Sequence, residues 1–195
     1  MRIVITGPDN LFALPEIEPL LREELDRVAP LAARQPAGRA LIVQACAANR
    51  HLGVDVRQLA ALRVQVQDRR YVGDVVCAVD ALPWEDAAFN LVVAQHVGDA
   101  LPHAHAGTVI EELARVLAPG GALLWFGLNP WSPWLAWTHW QGRHGLPAPN
   151  TRHVDTTRRH LLRQRLALAG LDLLGTCWPQ RGSPSAIHRS AVLAP

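Results

Sequence analysis

Residues 80–132 read DALPWEDAAFNLVVAQHVGDALPHAHAGTVIEELARVLAPGGALLWFGLNPWS, and this stretch decides the fold. The apolar run at residues 89–94 predicts a buried strand, and residues 108–117 carry apolar side chains at the spacing of one helix face. The Pro-Gly-Gly at residues 119–121 ends that helix, and residues 122–126 predict the next strand. A strand, a helix and a second apolar strand in succession are typical of a parallel crossover.

Upstream of this stretch the chain alternates between the same kinds of element. A helix is predicted over residues 19–34, with Pro30 bending or ending it. Residues 44–59 are predicted to form a loop and a helix. Strands are predicted at residues 40–43, 62–66 and 75–79.

The downstream part adds one helix and two strands. Residues 156–169 predict a helix that Asp155 caps and Gly170 ends. Strands are predicted at residues 171–176 and 187–193 with no helix between them, which indicates an antiparallel pair.

Together these elements predict a Rossmann-like, three-layer α/β sandwich whose sheet is mainly parallel with an antiparallel last strand. We expect one domain over residues 1–195, in which residues 1–38 form an N-terminal helical extension.

Composition excludes several classes of protein. The net charge is +2 and the chain contains no lysine, so no basic stripe predicts nucleic-acid binding. No apolar run is long enough to predict a membrane span, and no signal-peptide pattern is present. The three cysteines match neither a disulfide framework nor a zinc pattern, and His96, His103 and His105 are too irregularly spaced to predict a metal site. We therefore expect a cytoplasmic protein without a metal.

The order of short motifs within residues 80–132 resembles that of the type 11 class I S-adenosylmethionine-dependent methyltransferases. LPW at residues 82–84, FNLVV at 89–93, HV at 96–97 and RVLAPGG at 115–121 carry the resemblance. The Asn-Pro-Trp-Ser at residues 129–132 looks like a feature of a smaller branch of that superfamily. The resemblance implies a Rossmann-like fold and methyl transfer from S-adenosylmethionine.

The resemblance also implies where that cofactor binds, because ligands of open α/β sheets lie beyond the carboxyl ends of the strands. His96 is the candidate catalytic residue, as a base for a hydroxyl or amine acceptor, with a packed or solvated histidine as the alternative. The residues implied to hold the cofactor are Gln44, Ala45, Cys46 and Ala47 after the first strand, Asp68 after the second, Val79, Asp80 and Leu82 at the adenine, and Ala94 and Gln95 at the methyl end.

The first strand departs from the family pattern, which ends Asp-x-Gly-x-Gly-x-Gly. Residues 43–49 read VQACAAN, so the glycine positions carry Ala45, Ala47 and Asn49. Two extra methyl groups stand where main chain and cofactor usually touch. A positive φ at either alanine would cost about 1 kcal/mol or more.

The second strand departs in two ways. Asp68 either binds the ribose hydroxyls or simply starts a turn. The chain from Asp68 to Leu82 is also too short for a strand and the usual crossover helix, since a crossover needs roughly 10–12 residues. The sheet is expected either to lose a helix on one face or to pair these strands differently.

Two functions from different classes follow. The first is methyl transfer to a small-molecule acceptor. The second is a catalytically inactive relative that serves as a binding or regulatory module. The tryptophans at residues 125–140 are a core plug, a lid for a flat acceptor or a contact for a protein partner; for Trp125 we expect the plug.

Overall fold

The computed structural model describes residues 11–102, 105–129, 133–144, 159–177 and 188–194. The strands of these ranges are β1 Gly38–Gln44, β2 Leu59–Gln67, β3 Arg70–Gly73, β4 Cys77–Ala78, β5 Phe89–Gln95, β6 Leu117–Leu128, β7 Asp172–Cys177 and β8 His188–Ala194. The helices are α1 Glu18–Asp26, α2 Val28–Ala32, α3 Val97–Ala100, α4 Ala106–Arg115, α5 Pro133–Arg143 and α6 Arg159–Leu168, with 3-10 helices at Leu11–Ala13 and Ala47–His51. Among the described helices, none has the length and apolar character needed to cross a membrane.

These strands form one sheet in the order β4-β3-β2-β1-β5-β6-β8-β7. The four central strands, β2, β1, β5 and β6, are parallel, whereas β8 lies antiparallel to both β6 and β7. The predicted Rossmann-like sheet with an antiparallel last strand is confirmed.

Each face of the sheet has its own core, because the central strands are apolar on both sides. One core joins α1, α2, the first 3-10 helix and the residues on either side of the second, Cys46 and Leu52, to the face that carries Ile42 and Val93. The other joins α4 and the end of α6 to the face that carries Val43 and Val92. The N-terminal helices therefore cover the same sheet face as the loop that follows β1.

The predicted N-terminal helix is broken in two, and Pro30 explains where. Proline has no N–H and its ring clashes with the carbonyl four residues earlier, which here belongs to Asp26. The first helix ends at Asp26 and the second begins at Val28. Pro30 lies in the first turn of α2, where a missing N–H is tolerated.

The two strand connections next to β2 differ from the usual crossovers. Between β1 and β2 the expected helix is only a five-residue 3-10 helix. Leu52, Val54 and Val56 are buried while Gly53 and Asp55 are exposed, and this period of two suits extended chain rather than a helix.

After β2 the chain turns back as a hairpin. Asp68 and Arg69 have φ of 47° and 62°, and Gln67 pairs with Arg70 across the turn. Positive φ at both central residues is the requirement of a type I′ hairpin. The strands are thus paired differently, which was one of the two expected consequences of the short segment, and β3 supplies a strand that the sequence did not reveal.

The Pro-Gly-Gly segment was predicted to end the helix and precede the strand, but it lies inside β6, because α4 already ends at Arg115 and β6 begins at Leu117. Pairing with β5 shifts register across this segment, between Phe89 and Leu91. Gly120 has φ of 75°, a conformation that favours glycine. A Cβ on Gly121 would lie 2.8 Å from the carbonyl oxygen of Ala118 and 2.9 Å from that of Asn90. At the other end of the chain, Gly170 follows α6 with φ of 76° and ends it. Asp155, the predicted cap of α6, lies outside the described residues.

Candidate functional site

The candidate site lies at the carboxyl edge of the parallel strands. Gln44 and Gln95 are register partners at the ends of β1 and β5, so the structure brings together two of the residues predicted to hold the cofactor. Ala45, Cys46 and Ala94 lie at the same edge, and all five side chains are buried.

A cluster of buried charges surrounds the residue that follows β5. The Nε2 of His96 lies 3.1 Å from both carboxylate oxygens of Glu24, which belongs to α1. Its Nδ1 lies 2.9 Å from Oδ2 of Asp99 in α3. The same Asp99 oxygen accepts a hydrogen bond of 2.8 Å from the backbone N–H of Leu128. The ring of Phe12 stacks on the imidazole with centroids 4.8 Å apart.

The protonation of His96 follows from these partners. Burial by itself would lower the pKa of the imidazole. The charge of Glu24 and the hydrogen bonds to Asp99 and Glu24 outweigh burial and raise the pKa of His96 to about 10. At neutral pH the ring is therefore an imidazolium that donates from both nitrogens. His96 also has φ of 55°, so the end of β5 turns through the left-handed region.

Amide side chains extend this cluster across the sheet. Gln95 Nε2 donates to the carbonyl oxygen of Leu21 at 2.9 Å and to Glu24 at 3.0 Å. Gln44 Nε2 donates to Gln95 Oε1 at 3.4 Å and to the carbonyl oxygen of Asn49 at 3.3 Å. A continuous polar network therefore links α1, β5, β1 and the loop after β1.

Three buried polar atoms around that loop have no hydrogen-bond partner among the residues that the structure describes. They are Gln44 Oε1, Asn49 Nδ2 and Gln65 Nε2. Gln65 is the register partner of Gln44 on β2, so Gln65, Gln44 and Gln95 form a row on three neighbouring strands. One acceptor and two donors remain for a polar ligand, which is compatible with the hydroxyl, amino and carboxylate groups of S-adenosylmethionine.

The loop after β1 accommodates its alanines without strain. Positive φ is found at neither Ala45, Ala47 nor Asn49, so the cost expected from forced left-handed backbone does not arise. Ala47 is exposed. Burial raises the pKa of the Cys46 thiol, and a buried neutral thiol is not an activated nucleophile.

The predicted adenine-side residues lie in the loop between β4 and β5. Val79 and Leu82 are buried, whereas Asp80 is exposed. Glu112 accepts a 2.9 Å hydrogen bond from the backbone N–H of Leu82. Arg115 donates to the carbonyl oxygens of Leu82 and Trp84 at 3.0 and 2.8 Å, and to Glu112. The Arg-Val-Leu motif thus begins with the residue that ties this loop to α4.

The remaining predicted residues lie apart from the cluster. Asp68 is exposed in the hairpin turn after β2. Trp125 is buried beside Gly98, as the plug interpretation requires. Trp137 and Trp140 are exposed on α5 and stack with centroids 5.4 Å apart. Trp131 and His103 lie outside the described residues. Within the described ranges, no three His, Cys, Asp or Glu side chains gather so as to hold a metal.

Comparison with known proteins finds a family model that matches part of this chain. Residues 37–125, from β1 into β6, match a family model described as a methyltransferase domain. The resemblance to the class I methyltransferases is confirmed. A comparison with curated protein sequences finds no significant match.

Solved structures share the fold of this methyltransferase-like chain at low sequence identity. A 1,6-didemethyltoxoflavin N1-methyltransferase from Burkholderia thailandensis, solved with S-adenosylhomocysteine, has a TM-score of 0.62 and 12% identity over 89% of this chain and 77% of its own. A geranyl diphosphate C-methyltransferase from Streptomyces coelicolor has a TM-score of 0.57 and 11% sequence identity over 100% of this chain and 88% of its own. A possible histamine N-methyltransferase from Thermotoga maritima has a TM-score of 0.57 and 13% sequence identity. The match covers 92% of this chain and 93% of its own. At these identities the likeness concerns the fold alone.

Sequence reasoning missed two members of the charged cluster in this methyltransferase-like domain. Glu24 falls in the apolar stripe of α1, beside Leu20, Leu21 and Leu25, and an acid in such a stripe is the signal that could have found it. Asp99 lies three residues after His96, but nothing in the sequence predicted the short helix that turns its side chain back onto the imidazole.

Proposed function

We propose that the chain transfers a methyl group from S-adenosylmethionine to a small-molecule acceptor. The observation that carries the proposal is the match of residues 37–125 to a methyltransferase domain. The parallel order of β2, β1, β5 and β6 supports it, because their carboxyl edge is where ligands of such sheets bind. When bound, the cofactor supplies an electrophilic methyl group on a sulfonium.

Each predicted site residue has a place in this proposal. Residues 44–47 would hold the amino-acid end, with the unpaired Gln44 Oε1 as an acceptor for an ammonium group. Val79, Asp80 and Leu82 would face the adenine, held there by the contacts of Arg115 with their loop. Ala94 and Gln95 would lie beside the methyl end.

His96 is the predicted catalytic residue, but both of its ring nitrogens bind carboxylates. Abstraction of a proton would require it to release Glu24 or Asp99 and to lose its own proton first. We therefore expect acceptors that are already nucleophilic, such as neutral amines, for which proximity and alignment are sufficient.

The second candidate is a binding or regulatory module without catalysis. The burial of Gln44, Ala45, Ala94 and Gln95 favours it, because the chain's own α1 contacts the edge where a cofactor would bind.

Calorimetric titration with S-adenosylmethionine and S-adenosylhomocysteine separates the two candidates. Micromolar binding supports the methyltransferase, and methyl transfer can then be followed with cofactor labelled in the methyl group. If neither compound releases heat or raises the unfolding temperature at millimolar concentration, the methyltransferase proposal fails and the binding module remains.

The role of Asp68 can be tested without disturbing its turn. Asparagine also tolerates positive φ, so Asp68→Asn keeps the hairpin and removes only the carboxylate. If Asp68 binds the ribose, its loss raises the dissociation constant for S-adenosylhomocysteine about tenfold, the effect of one charge-assisted hydrogen bond. An unchanged constant assigns Asp68 to the turn alone. An unchanged unfolding temperature is the control for the fold.

The alanines of the cofactor loop are a second test of the same site. Ala45→Gly and Ala47→Gly remove the methyl groups that replace the family's glycines. Tighter binding of S-adenosylhomocysteine to the double variant would show that this loop limits affinity. No change would contradict the alignment of residues 43–49 with the glycine motif.

A further inference from the structure

Helix α1 carries a carboxylate at a fully buried position, where a charged group is rarely found. Glu24 is completely buried against the ends of β5 and α3. A buried ion pair returns little net stability, because desolvation of both charges offsets their attraction. The buried position of Glu24 is therefore better explained by the side chains that it binds than by a gain in the stability of the fold.

Glu24 and the rest of α1 accept hydrogen bonds from the side chains at the end of β5, so those donors are occupied. The amide of Gln95 has two N–H donors, and both go to α1, one to the carbonyl oxygen of Leu21 and one to Glu24. The imidazolium of His96 also has two N–H donors, and both go to carboxylates. A ligand at this edge can receive a hydrogen bond from either side chain only if an existing bond is broken.

The rest of the helix is attached less strongly to the polar edge. Glu23 pairs with Arg27 just after the helix, and Glu18 pairs with Arg22. Glu18 also lies 3.4 Å from Nε2 of His51, which belongs to the 3-10 helix after β1. The helix ends at Asp26, next to the break that Pro30 imposes. Among the described contacts, Glu24 is thus the carboxylate by which α1 binds the end of β5, and a turn with interrupted helical hydrogen bonding follows it.

We propose that α1 and the cofactor compete for the end of β5, with Glu24 as the positioning residue that holds the helix in place. Binding of the cofactor, whose methyl end would lie beside Gln95, breaks the bonds from Gln95 to α1 and moves the helix away from the edge. This inference rests on the proposed function, since it assumes that S-adenosylmethionine binds at this edge.

The test compares two glutamates that are adjacent on the same helix. Glu24→Gln keeps the size of the side chain and one acceptor oxygen, but it replaces the other oxygen by an NH2 donor and removes the charge. Glu23→Gln is the matched control, because Glu23 bonds only to Arg27 among the contacts described above. Calorimetry with S-adenosylhomocysteine is expected to show at least tenfold tighter binding to Glu24→Gln and no change for Glu23→Gln.

A second measurement on the unaltered protein covers the case in which Glu24→Gln does not fold. Hydrogen exchange of the amides at residues 18–26 is expected to become faster when S-adenosylhomocysteine is added. Slower exchange there on ligand binding would show that α1 closes over the cofactor, and this would overturn the competition.

The outcomes for the inference and for the proposed function are distinct. If the unaltered protein binds and Glu24→Gln binds no more tightly, the inference is wrong and the proposed function stands. If neither the unaltered protein nor either variant binds at millimolar ligand, the proposed function fails and the inference fails with it. Binding by Glu24→Gln alone supports both.

Discussion

The buried imidazolium of His96 makes the stability of the fold depend on pH between about 6.5 and 10. Its pKa is about 10 in the folded chain against 6.5 for an ordinary histidine. Because the folded pKa is raised, the folded state binds the proton more tightly than the unfolded state. The resulting stabilisation is complete below pH 6.5 and is lost as the pH rises through 10.

The size of the effect follows from linkage. Each pH unit between the two pKa values costs up to about 1.4 kcal/mol. Between pH 7 and pH 9 the free energy of unfolding should therefore fall by about 2 to 3 kcal/mol on account of His96. The thiols of Cys46 and Cys77, whose pKa values burial raises above 9.0, add a loss of the same sign only above pH 9.

Urea unfolding at pH 6, 7, 8 and 9 measures this loss. Glu24→Gln removes one of the two charges that raise the pKa of His96, so its stability should decline less over the same range. Contributions that are common to both proteins cancel in the difference. A free energy of unfolding that falls equally in both proteins would refute the assignment of the raised pKa to Glu24. A flat profile in the unaltered protein would refute the buried imidazolium itself.

Two further predictions concern packing and the adenine-side loop. A Cβ on Gly98 would lie 2.6 Å from a ring carbon of Trp125, so Gly98→Ala should destabilise the fold by about 1 to 3 kcal/mol. Gly53→Ala meets no atom within 4 Å and should be neutral or stabilising; equal urea midpoints for the two variants would contradict this account. Arg115→Lys loses the planar fork that binds the loop at residues 82–86. It should lower the unfolding temperature and weaken binding of S-adenosylhomocysteine severalfold, and a variant with both properties unchanged would show that the loop holds its position without Arg115.

The strands and the main helix of the sheet were predictable because their signals are local. Apolar runs identify β1 and β5 as strands buried on both faces. One apolar stripe identifies α4, and the turn at Gly120 needs only the backbone freedom of glycine. The motifs at residues 82–121 also indicated the resemblance to methyltransferases that the family model over residues 37–125 bears out, since their order and spacing do not depend on contacts elsewhere.

The hairpin after β2 could not be predicted from local sequence signals. Arg70–Gly73 contains only two apolar residues, and its strand character comes from pairing with β2. The sequence indicated that a crossover helix would not fit between Asp68 and Leu82, but not whether the sheet would lose a helix on one face or pair these strands differently.

The chemistry of the site was likewise predictable from the sequence only in part. The identity of His96 and its place at the end of a strand could be read along the chain, because both depend on neighbouring residues. Its charge could not, because the pKa of an imidazole depends on burial and on carboxylates brought to it by folding. Glu24 is 72 residues away in the chain and 3.1 Å away in space. Only the packing of α1 against the sheet decides that His96 is an imidazolium with both nitrogens occupied rather than a free base.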